Sequence, residues 1–173
     1  LTQFYPGHSI HPSDDQTSFG GTQDNSTQRY SGSLAWQIVT CGDGGWTAID
    51  PLVPTTVYAT CQNGEIRKST NSGLPGTFLP ADTGITDTIV AFIPPFVIDP
   101  TIPQRLYFGT TSVWQTTDGA ANWSPISLNL FGSGSANVLT ALAVSPASSS
   151  VVWASPRASG GSSRVFVATN VGP

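Results

Sequence analysis

Apolar residues fall in short alternating runs along this chain, and no stretch carries the 3.6-residue apolar stripe of a helix. TVYAT (56–60), RLYFGT (105–110), VVWAS (151–155) and RVFVAT (164–169) are rich in β-branched and aromatic residues and too short for helices. TFLPA (77–81) and WSPIS (123–127) extend the strand-like set. Polar turns containing Pro, Gly, Asn and Asp separate them, so an all-β fold is expected.

The runs recur in one order. HSIHPSDDQTSFGGTQDN (8–25), TAIDPLVPTTVYATCQNGEIRKSTNSG (47–73), FVIDPTIPQRLYFGTTSVWQTTDGAANW (96–123) and LAVSPASSSVVWASPRASGGSSRVFVATNVG (142–172) share a grammar. Each has a short strand, a proline, a polar turn of four to six residues, an aromatic or β-branched strand, a second turn and a third strand. The prolines, Pro12, Pro51, Pro100 and Pro146, stand 39, 49 and 46 residues apart. Propeller blades repeat at roughly 40–50 residues. Proline at a strand end costs no ladder bond, and a fourth strand fits after the second turn. The expectation is one β-propeller domain over 1–173, with units at 8–46, 47–94, 95–140 and 141–173, the last incomplete. A β-sandwich is the competing all-β fold, but it leaves the recurring turn chemistry without a reason.

TTDGAANW (116–123) fits the turn between third and fourth strands. Asp118 is placed to accept hydrogen bonds from backbone N–H groups of its own turn. Ala120 leaves room for a sharp bend, and Trp123 opens the next strand with a ring to pack between blades. This is a hairpin clamp rather than a catalytic device. The stretch resembles the Asp-box, or BNR repeat, S-x-D-x-G-x-T-W: Thr116, Asp118 and Trp123 match, while Ala120 replaces Gly and Asn122 replaces Thr. STNSGLPGTF keeps Ser69, Gly73 and an aromatic at Phe78, with Asn71 for Asp; ATNVG keeps Gly172, with Asn170. In the first unit only Trp36 marks the fourth strand. GTQDN, GDGGWTAIDP and VYATCQNGEI add to a resemblance to secreted bacterial propellers of the BNR, sortilin-like and glycoside-hydrolase-like group. That resemblance implies the fold and an extracellular or cell-surface setting. It leaves activity open, because the repeat serves sialidases, xyloglucanases, sorting receptors and assembly factors alike.

Composition narrows the classes. Of 173 residues 9% are charged, against roughly 25% in an average soluble domain. The surface is therefore wetted by Ser, Thr, Asn, Gln and Gly, as suits an exported, strand-rich protein. The net charge is −4 with one lysine, Lys68, so no basic surface exists for nucleic acid. IVAFIPPFVI (89–98) is too short for a membrane span and is broken by Pro94 and Pro95. Cys41 and Cys61 either form a disulfide, the reading that accompanies export, or remain two thiols. Sequons stand at Asn25 and Asn122. No cofactor or metal is expected: two cysteines cannot alone hold zinc, and packing is the expected role of His8 and His11.

Propeller geometry divides the turns between two ends. Asp50, Asn71, Asp99 and Asp118 fall at one end, as turn-stabilising side chains. Gln23, Asp24, Asn25, Asp43, Trp46, Gln62, Asn63 and Glu65 fall at the other, the usual ligand end, with TQDN and CQNG repeating a Gln–Asn pairing. The plainer alternative there is turn formation at positive φ. Trp46 would suit sugar stacking; Trp36, Trp114, Trp123 and Trp153 are expected in the core. A glycosidase needs two facing carboxylates about 5–10 Å apart; Asp24 and Asp43, from adjacent units, are the catalytic candidates, with Glu65 and Asp87 as further acids. A sialidase is disfavoured, since Arg67, Arg105 and Arg164 occupy unlike positions and the Arg-Ile-Pro motif is absent.

The fourth unit ends after its third strand, leaving an edge. Three answers are open: a longer propeller, closure by LTQFYPG (1–7) with Phe4 in place of the tryptophan, or strand donation to another copy in a homo-oligomer or filament. The expected function is binding or assembly, with polysaccharide or a surface protein as ligand. The alternatives are a xyloglucanase-like glycoside hydrolase and a structural subunit of a surface layer or fibre.

Overall fold

The computed structural model describes residues 2–128, 130, 137–157 and 164–169. Its strands form four antiparallel sheets, and the chain divides into two compact units, Leu1–Ala81 and Asp82–Pro173. The first unit holds sheet one, β1 (Ser9–Ile10), β2 (Thr17–Gly21), β3 (Thr27–Ser31) and β4 (Gln37–Thr40), and sheet two, β5 (Gly44–Ile49), β6 (Val57–Cys61), β7 (Ile66–Ser69) and β8 (Leu79–Pro80). The second holds sheet three, β9 (Phe96–Ile98), β10 (Leu106–Gly109), β11 (Val113–Thr116) and β12 (Ser124–Ser127), and sheet four, β13 (Leu139–Ser145), β14 (Ser148–Pro156) and β15 (Phe166–Thr169). Strands follow one another in chain order within every sheet. Among the described residues no helix is long and apolar enough to cross a membrane.

The first hairpin is built alike in three sheets. His11 N–H donates to Thr17 O and Thr17 N–H to Asp14 O; Asp50 pairs with Thr56, and Thr56 with Val53; Asp99 pairs with Arg105, and Arg105 with Ile102. Each loop therefore closes over the same interval, with proline second in it. The carboxylates of Asp50 and Asp99 tie the loop further. Asp50 Oδ1 accepts from Leu52 and Val53 N–H at 2.8 and 2.9 Å, and Asp99 Oδ1 from Thr101 and Ile102 N–H at 2.8 and 3.0 Å. Sheet four departs from the expected grammar. There Ser145 pairs directly with Ser148, so Pro146 and Ala147 make a two-residue connection and β14 starts at once.

Alternation selects each core. Phe19 and Val39 of sheet one pack with Ile49, Val57, Ala59 and Phe78 of the second repeat. Tyr107 and Val113 of sheet three pack with Leu139, Leu142, Val152 and Ala154 of sheet four. Glycine sets the closeness of the first pair. A Cβ on Gly21 would lie 2.1 Å from Gly45 O, and one on Gly44 would lie 2.8 Å from Gly21 Cα.

Three expectations are corrected. Trp114 and Trp123 are buried, but Trp36 and Trp153 stand 36% and 46% exposed, because they point from sheet faces away from these cores. Trp123 packs against Phe96 and Phe108 of its own sheet, with ring centroids 6.4 Å away in both cases. The N-terminal segment does not complete the fourth sheet. Phe4 bridges Thr22, Tyr5 N–H donates to Gly21 O, and Gln23 N–H to Gln3 O, so residues 3–5 lie along the end of β2.

Candidate functional site

Three connections meet at one end of the first unit: the β2–β3 turn (22–26), the link between sheets one and two (41–43), and the β6–β7 turn (62–65). Ser26 forms a parallel bridge with Asp43, Gly44 N–H donates to Thr22 O, and Gln62 N–H donates to Asp43 O at 3.0 Å. The Cys41–Cys61 disulfide, with Cα atoms 5.4 Å apart, fastens the link to the end of β6. The turns use left-handed backbone at Asp24 (φ 59°), Ser26 (67°), Cys41 (74°) and Asn63 (63°). Asp and Asn tolerate that region best after glycine.

The structure brings Asp24 and Asp43 together, in a particular way. Asp24 backbone N–H donates to Asp43 Oδ1 at 2.7 Å. The Tyr5 phenol also hydrogen-bonds the Asp43 carboxylate; desolvation, then the Asp43 and Asp24 charges, push that phenol above its ordinary pKa. Asp43 thus ties a turn, as Asp50 and Asp99 do elsewhere. Asn25 Nδ2 donates to Gln23 O at 3.0 Å, and Gln28 Nε2 to Asn25 O. Thr2, Gln3, Gln23, Asp24 and Asn25 line an open depression of about 560 Å³. A second groove of about 390 Å³ shares Thr2 and Asn25 with it and runs to Phe4, Gln28 and Trp36.

The other expected site residues do not line this depression. Asn63 is exposed at the tip of its turn, and Glu65 is ion-paired with Arg67. Gln62 packs against Gly42, whose added Cβ would come within 2.6 Å of the Gln62 amide nitrogen. Trp46 is no open platform: Gly7 lies against its ring, where a Cβ would come within 2.4 Å, and Gly7 O accepts Thr47 N–H and Oγ1–H. The exposed aromatic surface is instead Trp36 with Phe4 and Tyr30, whose ring centroids lie 5.4 and 5.3 Å from it. Thr2, Gln3, Phe4 and Tyr5, all in the N-terminal segment, are the contributors that sequence reading missed.

In the second unit, Thr116 and Asp118 close the β11–β12 turn. Asp118 Oδ1 accepts from Thr116 Oγ1, Ala121 N–H and Asn122 N–H at 2.7, 3.0 and 2.9 Å, and Oδ2 accepts from Asn122 Nδ2. The Asn122 side-chain amide, helped by these other donors, lowers the Asp118 pKa to about 2. Ala120 takes φ 68°, and Gly119 N–H donates to Gln104 O. Sheet two repeats the layout: Ser69 Oγ accepts Asn71 N–H, Ser72 N–H donates to Thr55 O, and Gly73 takes φ 60°. Asn170 and Gly172 lie outside the described residues. Of the sequons, Asn25 is exposed at the depression, while the Asn122 side chain is held by Asp118.

The β10–β11 turn of the second unit engages Asp87, which the sequence offered only as a further acid. Asp87 Oδ2 accepts from Thr110 Oγ1 at 2.5 Å and Thr111 Oγ1 at 3.2 Å, and Trp114 Nε1–H donates to Thr110 Oγ1 at 3.0 Å. Burial raises the Asp87 pKa, but donors led by Thr110 outweigh it and the net direction is down. This carboxylate holds the 82–95 connection over the turn. Among the described residues, no three His, Cys, Asp or Glu side chains group as a metal site.

No protein-family profile and no curated protein sequence matches the chain. Solved structures do. The chain is similar to the GH74 xyloglucanase from Xanthomonas campestris, with TM-score 0.74 and 16% identity over 96% of this chain and 29% of that one. It is similar to the GH74 enzyme of Niastella koreensis, with TM-score 0.71 and 17% identity over 96% and 28%. An ancestral GH74 enzyme matches with TM-score 0.68 and 19% identity over 87% and 21%. At these identities the likeness is one of fold, and the chain spans less than a third of each of these structures.

Proposed function

We propose that the chain forms part of a BNR-type β-propeller whose depression at the 22–26 and 41–43 connections binds a neutral polysaccharide outside the cell. The convergence of Thr2, Gln3, Gln23 and Asn25 around the Asp24–Asp43 tie carries this reading. It assembles amide, hydroxyl and carboxylate groups at an open surface next to exposed Trp36 and Phe4. Sugars are recognised by that combination, with polar groups for the hydroxyls and ring faces for the C–H surface. The fold likeness to xyloglucanases supports a polysaccharide in particular, and the disulfide supports an oxidising compartment. Calorimetric titration with xyloglucan, cello- and manno-oligosaccharides tests it. Binding of one class is expected, weakened at least about tenfold by Gln23→Ala with Asn25→Ala, a loss of about 1.4 kcal/mol. Absence of binding to every neutral glycan sinks it.

A hydrolase is the second reading, favoured by the Asp24–Asp43 adjacency and the same fold likeness. Against it stands the use of Asp43 Oδ1 as a turn acceptor. Glycan cleavage that Asp24→Asn and Asp43→Asn abolish while binding persists would establish the enzyme. No cleavage by the unaltered chain removes that reading.

A further inference from the structure

Sheet one passes to sheet two through CGDGG (41–45), a stretch with only two side chains, those of Cys41 and Asp43. Asp43 gathers the depression. Its Oδ1 accepts from Asp24 N–H at 2.7 Å, its backbone oxygen accepts from Gln62 N–H at 3.0 Å, it bridges Ser26, and the Tyr5 phenol hydrogen-bonds its carboxylate. Gly42 before it and Gly44–Gly45 after it give the link wide conformational freedom. The covalent restraint on that freedom is the bond from Cys41 to Cys61.

The two cysteines are unlike. Cys61 is the last residue of β6, a strand buried along its whole length, and is 2% exposed. Cys41 is partly exposed and takes φ 74°, left-handed backbone that residues other than Gly, Asn and Asp seldom adopt. The fixed end of the crosslink is therefore a buried strand, and the movable end is a glycine-rich link held in a disfavoured conformation. Once the sulfurs part, Cys41 has a lower-energy conformation open to it at negative φ, and the change of direction falls on Gly42 and Asp43. Sheet two does not need the crosslink to stay paired, because β6 keeps its ladder to β7 at Val57, Tyr58, Ala59 and Thr60.

We infer that this disulfide is a redox switch for the depression: a dithiol reductant opens it, Asp43 leaves the 22–26 turn, and bound glycan is released. The release rests on the polysaccharide reading; the opening and the loss of the tie do not. A reductant thiolate attacks Sγ of Cys41, the cysteine within reach, and the S–S electron pair leaves on Cys61 Sγ, which takes up a proton. The reductant's second thiolate then attacks its own sulfur in the mixed disulfide, and Cys41 departs and is protonated. Two electrons and two protons pass to the protein, and the reductant closes to a disulfide.

Amide shifts and glycan titration of the full chain, oxidised and after treatment with dithiothreitol, test this. The reduced chain is expected to show a displaced Asp24 amide and an unmoved Thr116–Asn122 turn. Its affinity for a xyloglucan oligosaccharide should be at least about tenfold weaker, and reoxidation should restore both readouts. Cys41→Ser with Cys61→Ser should match the reduced chain and ignore the reductant. In Asp43→Asn the redox effect on affinity should shrink below about twofold, because crosslink and carboxylate act through one tie; a full redox effect there overturns the inference. So does an Asp24 amide that keeps its shift on reduction, and so does equal affinity in the two states. Loss of the first unit's dispersed shifts as a whole also overturns it, since a switch needs both states folded. If the oxidised chain binds no glycan, the polysaccharide reading fails, and the ligand-free Asp24 amide still decides whether the disulfide controls the turn.

Discussion

Asp118 shows how a short carboxylate fixes a turn, and why its position could be read from TTDGAANW. Its acceptors face the N–H groups of the two residues that must reverse direction, with Thr116 and Asn122 completing the set. Asp118→Ala should cost about 1 kcal/mol, held to that size because the side chain is exposed. The pH sign follows from the pKa of about 2. A depressed carboxylate contributes fully above its unfolded value near 4 and loses the contribution as pH falls through about 2. Urea unfolding of wild type and Asp118→Ala should therefore differ at pH 7 and converge between about pH 4 and 2; a constant difference across that window contradicts the clamp. Asp43 resembled a catalytic acid in sequence because a turn tie and a general acid are the same residue type. Only the Asp24 N–H and Tyr5 contacts distinguish them. Asp87 read as a further candidate acid, and its tie to Thr110 and Thr111 was not legible because those partners lie far from it in sequence.

Among the elements, hairpins were legible where local chemistry decides them. The Asp-Pro turns at 50–51 and 99–100 close alike because proline and a side-chain acceptor act within a few residues. Sheet faces were less legible. Trp36 and Trp153 read as core by residue type, yet alternation places them opposite Val39 and Val152, away from the packed sheet. Gly21 and Gly44 were the unused signal for where the first two sheets approach. Two predictions belong here. Arg105 is buried and donates to Ser149 O, with its guanidinium 3.9 Å from the buried Asp99 carboxylate. Arg105→Ala strands that charge and should cost on the order of 3 kcal/mol; an unchanged denaturant midpoint would refute the strut between sheets three and four. The Cys41–Cys61 disulfide closes a separation of 20 residues, so reduction should remove about 3 kcal/mol. Hydrogen exchange should then speed up first at 41–46 and 61–66. Uniform acceleration through both units would contradict a local fastening.

For the whole molecule, recurrence of one meander in four sheets was legible from the proline intervals and the strand composition, and the fold likeness to GH74 enzymes accords with it. The site was legible in part. Gln23, Asp24, Asn25 and Asp43 do meet, because the β2–β3 turn and the link to sheet two emerge at the same end of their strands. The course of residues 3–5 along β2 was not, since nothing local in LTQFYPG specifies Thr22 as the partner of Phe4. The central claim is that this end of the first unit recognises sugar. Amide chemical-shift mapping during titration with a xyloglucan oligosaccharide tests it most directly. The account predicts saturable shifts at Gln3, Gln23, Asp24, Asn25 and Asp43, with the Thr116–Asn122 turn unmoved; shifts centred on that turn, or none anywhere, would contradict it.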